Sequence, residues 1–182
     1  MSAVPHQFVV HTDRARIDGR FRVIVFGLGG LVVVLFGLAA ALAASTGSAL
    51  AMLPIAISAL GLIVQICLHC YAWGARVAVE TPLVLSPTGM QLCTHRGWVS
   101  VPWAAVASLS VRSVLGNRIL TFHLIPGVDR TSPGVSSSLP AGQWKRLRRV
   151  GLQLGDVGIT PGAADVAQAV RYYTSGRVGV SA

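Results

Sequence analysis

The chain has 182 residues, of which 53% are hydrophobic and only 12% charged, with a formal net charge of +9 from 15 Lys and Arg against 6 Asp and Glu. A soluble domain carries about 25% charged residues, so this composition excludes an ordinary soluble protein. The few scattered carboxylates exclude a paired-carboxylate active site.

Residues 1–22 carry Arg14, Arg16, Arg20 and Arg22 and read as a cytoplasmic N-terminal segment. Between Arg22 and Arg76 there is no Asp, Glu, Lys or Arg. Two apolar runs, 23–44 and 49–73, fill that interval, and a helix of such length, at ~1.5 Å per residue, crosses a hydrocarbon core of ~30 Å. The turn Ser45, Thr46, Gly47, Ser48 is too short for the chain to cross back, so the spans are antiparallel and form a two-helix transmembrane hairpin over 23–73. A cleaved leader would have a shorter apolar core and no second span directly after it. The arginines before the first span and Arg76 after the second predict cytoplasmic termini, hence a multi-pass protein of the plasma (inner) membrane. Arginine in place of lysine (Lys145 is the sole lysine), with abundant Ala, Val and Gly, points to a GC-rich bacterial genome.

Within the hairpin, Gly30, Gly37, Ala41 and Ala44 form a stripe of small residues that lets helix backbones approach closely. The stripe is expected to pack against the chain's own second helix near Ala51 and Ser58, with a homodimer contact as the alternative. Pro54 is expected to kink the second helix modestly. Gly27, Gly29 and Gly30 resemble the start of a dinucleotide-binding turn. The third glycine of that motif falls on Val32 and no acidic residue follows at ~20 positions, so the reading fails. Cys67, His69 and Cys70 have metal-ligating chemistry. No further cluster of ligands accompanies them, and no metal or other cofactor is expected. Three cysteines form no disulfide framework.

From Arg76 the pattern changes to short alternating runs, and residues 76–182 read as a cytoplasmic α+β domain. Expected strands are 77–80, 83–85, 90–95, 98–101, 109–114 and 118–124, with turns at Ser86, Pro87, Thr88, Gly89, at Arg96 and Gly97, and at Gly116 and Asn117. Residues 126–140 read as an exposed loop, 141–150 as a short helix and 152–157 as a strand. Thr160 and Pro161 offer an N-cap and a first-turn proline for a helix to Thr174, with Ala163, Val166, Ala169, Val170 and Tyr173 on its apolar face.

Leu83, Leu85, Ser86, Pro87, Thr88, Gly89, Met90 and Leu92, followed by Val101, Pro102, Trp103 and Val106, resemble the pattern of bacterial pleckstrin-homology-like (PH-like) domains. The layout as a whole is similar to small membrane proteins with a two-helix hairpin and a cytoplasmic PH-like domain. The resemblance implies a bent antiparallel β-sheet or barrel of about seven strands closed by a C-terminal helix, with Trp103 as a packing residue. The loop that binds phosphoinositides in eukaryotic relatives corresponds to Ser86–Gly89 here and carries no Lys or Arg, so that ligand chemistry does not transfer.

Trp144, Lys145, Arg146, Arg148 and Arg149 make the densest basic segment, and a basic amphipathic helix with a tryptophan reads as a membrane-surface element. Its partners are anionic phospholipid headgroups or a membrane-protein partner, and the alternative is a helix packed on the sheet with solvated cations. A single aromatic in the segment argues against nucleic acid. His95 and His123 lie on expected strands without further ligands, and no zincin, nucleophile-elbow or phosphate-loop motif occurs. The sequence therefore predicts a non-enzymatic module that scaffolds or regulates a membrane complex. An accessory transmembrane subunit acting through its hairpin is the alternative.

Overall fold

The computed structural model describes residues 6–47, 52–114 and 117–181. The chain divides into two units, one of residues 15–77 and one that joins residues 1–14 to 78–182.

The first unit is a pair of long helices, α1 (Arg14–Thr46, 33 residues) and α2 (Leu53–Val77, 25 residues). Both are long and apolar enough to cross a membrane. Only 6% of the most apolar window of each is buried, which rules out the interior helices of a globular core. Two heptad rows are drawn from the less exposed positions: Phe21, Val25, Leu28, Val32, Leu35, Ala39 and Leu42 on α1, and Ile55, Ala59, Leu62, Ile66, His69 and Trp73 on α2, are buried or half-buried. This alternating three- and four-residue spacing is the seam of antiparallel helix packing. The base of the hairpin is clasped where Trp73 Nε1–H donates to Asp18 Oδ1 at 2.9 Å and stacks on Phe21 with ring centroids 6.0 Å apart.

The small-residue stripe is not part of this seam. Gly30, Gly37, Ala41 and Ala44 are all exposed, and a Cβ added at Gly30 or Gly37 would meet no atom within 4 Å. The expected packing of the stripe on the second helix is thus corrected. Ser58 is likewise exposed and donates to the Pro54 carbonyl, while Ala51 lies outside the described residues. Ser45 and Thr46 belong to α1 rather than to a turn, and their hydroxyls donate to the Leu42 carbonyl. Pro54 is the second residue of α2, where a missing N–H breaks no helical bond.

The second unit is rich in β-structure. Among the described residues it has ten strands: β1 (Phe8–Thr12), β2 (Leu83–Leu85), β3 (Gly89–Thr94), β4 (Gly97–Pro102), β5 (Val106–Val114), β6 (Asn117–Leu124), β7 (Ser136–Ser137), β8 (Leu152–Gly155), β9 (Ile159–Thr160) and β10 (Gly179–Ser181). They form a six-stranded sheet in the order β7-β4-β3-β2-β1-β9 and a four-stranded sheet in the order β10-β5-β6-β8. All pairs are antiparallel except β10 with β5. Two helices complete the unit, α3 (Ala141–Val150) and α4 (Ala163–Tyr173). Residues 77–80 are not a strand, because α2 runs through Val77 and β2 alone pairs in that region.

The segment before the hairpin enters this unit. Val9 lies opposite Val84 and Val10 opposite Leu83, so β1 sits between β2 and β9, and Val10 is fully buried. Across the gap left by the hairpin, the Thr12 N–H donates to the Glu80 carbonyl at 2.9 Å and the Thr12 hydroxyl to the Val79 carbonyl. Leu83, Leu85, Met90, Leu92, Val99, Val101, Leu109, Leu120 and Phe122 alternate inward from the two sheets, and Val166 and Val170 of α4 join the same core.

The Ser86–Gly89 turn and Trp103 belong to one device. The Trp103 Nε1–H donates to the Ser86 carbonyl at 2.7 Å, and a Cβ on Gly89 would stand 2.3 Å from the Val101 carbonyl oxygen. Only glycine permits that approach. The start of α4 departs from expectation. Thr160 ends β9, and the first free N–H groups of the helix are taken by carboxylates: Asp165 Oδ2 accepts from Gly162 at 3.1 Å and Asp156 Oδ1 from Ala163 at 2.7 Å. The apolar face of α4 is as its spacing predicts, with Ala163, Val166, Ala169 and Val170 buried.

Candidate functional site

Helix α3 spans Ala141–Val150 and follows the loop that crosses residues 126–140. That loop is organised by Asp129, whose Oδ1 accepts from the Thr131 hydroxyl at 2.7 Å and the Thr131 N–H at 2.9 Å. These bonds, the side-chain one foremost, hold the Asp129 carboxyl below its ordinary pKa. Arg130 Nη2 donates to the Ser137 carbonyl, and the short strand β7 that contains Ser137 pairs with β4, which leads the chain into α3.

Helical spacing puts Trp144 and Leu147 on one face. Trp144 is 5% exposed and belongs to the core, and Leu147 is half-buried against it. Trp144 is thereby corrected from a surface anchor to an internal one. Its indole N–H has no acceptor among the described residues, so its contribution is apolar area. The helix stops at Gly151, which has a positive φ of 93° and whose N–H donates to the Leu147 carbonyl at 2.7 Å. A Cβ there would come within 2.5 Å of Thr121 Cγ2.

With its apolar face fixed, α3 turns its cations outward. Lys145, Arg146, Arg148 and Arg149 are all exposed, and among the described residues none has a carboxylate within ion-pair distance. Arg148 and Arg149 occupy the last turn, where cations complement the helix dipole. The result is a rigid basic ridge suited to anionic oxygens.

The other sequence candidates do not converge. Cys67 and Cys70 are exposed on the outside of α2, whereas His69 is half-buried on the inner row and engages Gln65 at 2.8 and 3.2 Å. Among the described residues no three His, Cys, Asp or Glu side chains are placed to share a metal ion. His95 engages Arg96 Nε at 3.0 Å, and His123 engages the Ser110 hydroxyl at 3.0 Å. A serine and a histidine in contact are two parts of a nucleophilic site, and among the described residues no carboxylate is hydrogen-bonded to His123 as an orienting third part. Beside the Ser86–Gly89 turn, a shallow cleft of about 270 Å³ is lined by Gln7, Ser86, Thr88, Gln91 and Ser100 among others, with no charged side chain. It offers nothing to a phosphoinositide.

Compared with family models, with curated proteins and with solved structures, the chain matches none.

Proposed function

We propose that this chain is a non-enzymatic, membrane-anchored module of the cytoplasmic membrane, with a PH-like β-rich unit on the cytoplasmic side. The unit uses α3 to engage the anionic inner leaflet, or an acidic face of a protein partner seated there, and so scaffolds or regulates a membrane complex. The observation that carries this is the ridge of Lys145, Arg146, Arg148 and Arg149, exposed and unpaired by carboxylates while Trp144 anchors the helix from below. Each such cation near an anionic leaflet contributes on the order of 1 kcal/mol, screened within a Debye length of ~8–10 Å. A tether through two spans raises the local lipid concentration, so weak contacts suffice.

The membrane orientation is supported from two directions. The arginines Arg14, Arg16, Arg20, Arg22 and Arg76 flank the apolar parts of the helices at their paired ends. Strand β1 leaves the sheet just before α1 and β2 enters it just after α2, which requires both ends of a spanning hairpin to emerge on one side. A PH-like assignment draws support from the two packed sheets, the Gly89–Trp103 device and α4 against the core. Ten strands, the parallel β10 and the hairpin inserted between β1 and β2 go beyond the seven-strand pattern.

The test is amide hydrogen exchange of the full chain in nanodiscs of neutral lipid and of neutral plus anionic lipid. Protection of α3 only in the anionic discs, reversed by salt and lost when the four cations become Gln, is the expected result. Equal exchange in both discs would remove the leaflet as the partner.

A second reading makes the hairpin the working part, an accessory subunit of a larger membrane complex. It is favoured by the outward placement of Gly30, Gly37, Ala41 and Ala44, which leaves a smooth strip free for another helix. Gly37→Leu with Ala41→Leu should then leave the chain folded and abolish co-purification with its partner; unchanged recovery would rule against this reading.

A further inference from the structure

Between α4 and the four-stranded sheet runs a groove of about 730 Å³, far from neutral in its lining. Its apolar walls are Ala164 and Ala167 of α4, Val111 of β5 and Val180 of β10; Arg118 of β6 and Arg171 of α4 supply its charge, and Ser113 and Gln168 are the uncharged polar groups beside them. The alanines create the space, because larger residues on that face of the helix would fill it. Both arginines are exposed, and neither has a carboxylate within ion-pair distance among the described residues. Two acids at the start of α4 are otherwise engaged, since Asp156, in the connection after β8, accepts from the Ala163 N–H and Asp165 of α4 from the Gly162 N–H.

We propose that this groove binds a single-chain anionic amphiphile, a long-chain fatty-acid anion taken from the bilayer. The volume falls within the ~300–1,000 Å³ of small-molecule sites. Two guanidinium groups with no carboxylate in the lining call for an anionic oxygen group, which arginine grips with paired N–H donors. Apolar walls beside them call for hydrocarbon. A neutral lipid leaves the arginines unmatched, and a bare inorganic anion leaves the walls wet, so one molecule carrying both parts fits best. The site shares no residue with α3 and stands independently of the reading given to that helix.

Photolabelling tests it. The full chain is reconstituted in phosphatidylcholine vesicles with palmitic acid bearing a mid-chain diazirine, at an alkaline pH that ionises the acid. The corresponding hexadecanol is the control. Labelling of peptides from β5, β6, α4 or β10 by the acid is expected, with the alcohol confined to α1 and α2. The groove label should fall at least tenfold in Arg118→Gln/Arg171→Gln and in Ala164→Leu, all at exposed positions, with hydrogen exchange across β5 and β6 as in the parent chain. Equal groove labelling by acid and alcohol, a label indifferent to these substitutions, or no groove label would each overturn the proposal.

Discussion

In the hairpin the large apolar side chains mostly face outward, Phe26, Val33, Phe36 and Leu60 being 55–76% exposed, and Ala39 and Ala59 are among its few buried residues. In the β-rich unit Phe122, Leu83, Leu109 and Leu120 are fully buried, and besides their local hairpins they lie in pairings that join residues far apart in sequence, Val10 with Leu83, Val180 with Leu109 and Leu152 with Phe122. On the proposed membrane reading the two regions therefore depend on different solvents. The hairpin then takes hydrocarbon as its surroundings, and the Trp73–Asp18 clasp sets how the base of its helices meets. The β-rich unit supplies its own apolar interior and depends on each strand being in register. One consequence is that substitutions of similar size should differ greatly in effect between the two.

The sharpest test sets Val10 against Val33. Val10→Asp puts a carboxylate into the buried core beside β2, at a cost of several kcal/mol that rivals the ~5–15 kcal/mol stability of a whole domain. Residues 78–181 should lose their protease resistance while residues 15–77 keep theirs. Val33→Thr, at an exposed hairpin position, should leave that resistance intact, and equal sensitivity would break the comparison. Next in size, Trp144→Ala should destabilise the β-rich unit by ~3–5 kcal/mol in denaturant unfolding, whereas Arg146→Gln stays within ~0.5 kcal/mol. A reversed order would mean that Trp144 lies at the surface. Gly151→Ala should cost about 1–3 kcal/mol, because its positive φ and the nearness of Thr121 both resist a side chain.

The smallest effects are in pH. The lowered pKa of Asp129 means that its contribution is present above the ordinary carboxylate range and is lost as pH falls through the folded value; Asp129→Asn should flatten the acid limb of the stability curve. Tyr173 is shifted the other way, raised by burial and then by Tyr172, so its contribution is present below the ordinary tyrosine pKa of 10.0 and fades as pH climbs through the raised one. Tyr173→Phe should remove that alkaline limb.

The helices were legible because a long interval without charge admits few readings, and the bounds of α3 because Pro140 and Gly151 frame a periodic segment. Which face of a helix meets what was legible only where polarity is lopsided. On α4 the buried face follows from Val166, Ala169 and Val170. On α1, apolar all round, nothing in the sequence separates the seam of Leu28 and Leu35 from the stripe of Gly30 and Gly37. Trp144 shows the same ambiguity, since an amphipathic basic helix has one pattern whether its apolar face meets lipid or a protein core. Strands β1, β9 and β10 escaped notice because two to five residues such as Phe8, Val9 and Val10 carry too little alternation, and their partners Leu83, Thr12 and Leu109 lie distant in the chain. The groove beside α4 has no signal in sequence at all, as Arg118 and Arg171 are brought together only by the fold.

The insertion of the hairpin between β1 and β2 ties the order of biosynthesis to the outcome of folding. Residues 8–12 emerge from the ribosome well before Leu83 exists, so the sheet cannot close until both helices have been made. In a bilayer it also cannot close unless the hairpin has crossed twice, because a single crossing strands β1 on the far side from β2. A misinserted chain would keep an open β2 edge and an unfilled position at Val10, the kind of exposed surface that quality-control proteases recognise. On the proposed membrane reading, β1 would thus proofread topology, coupling correct insertion to survival of the chain.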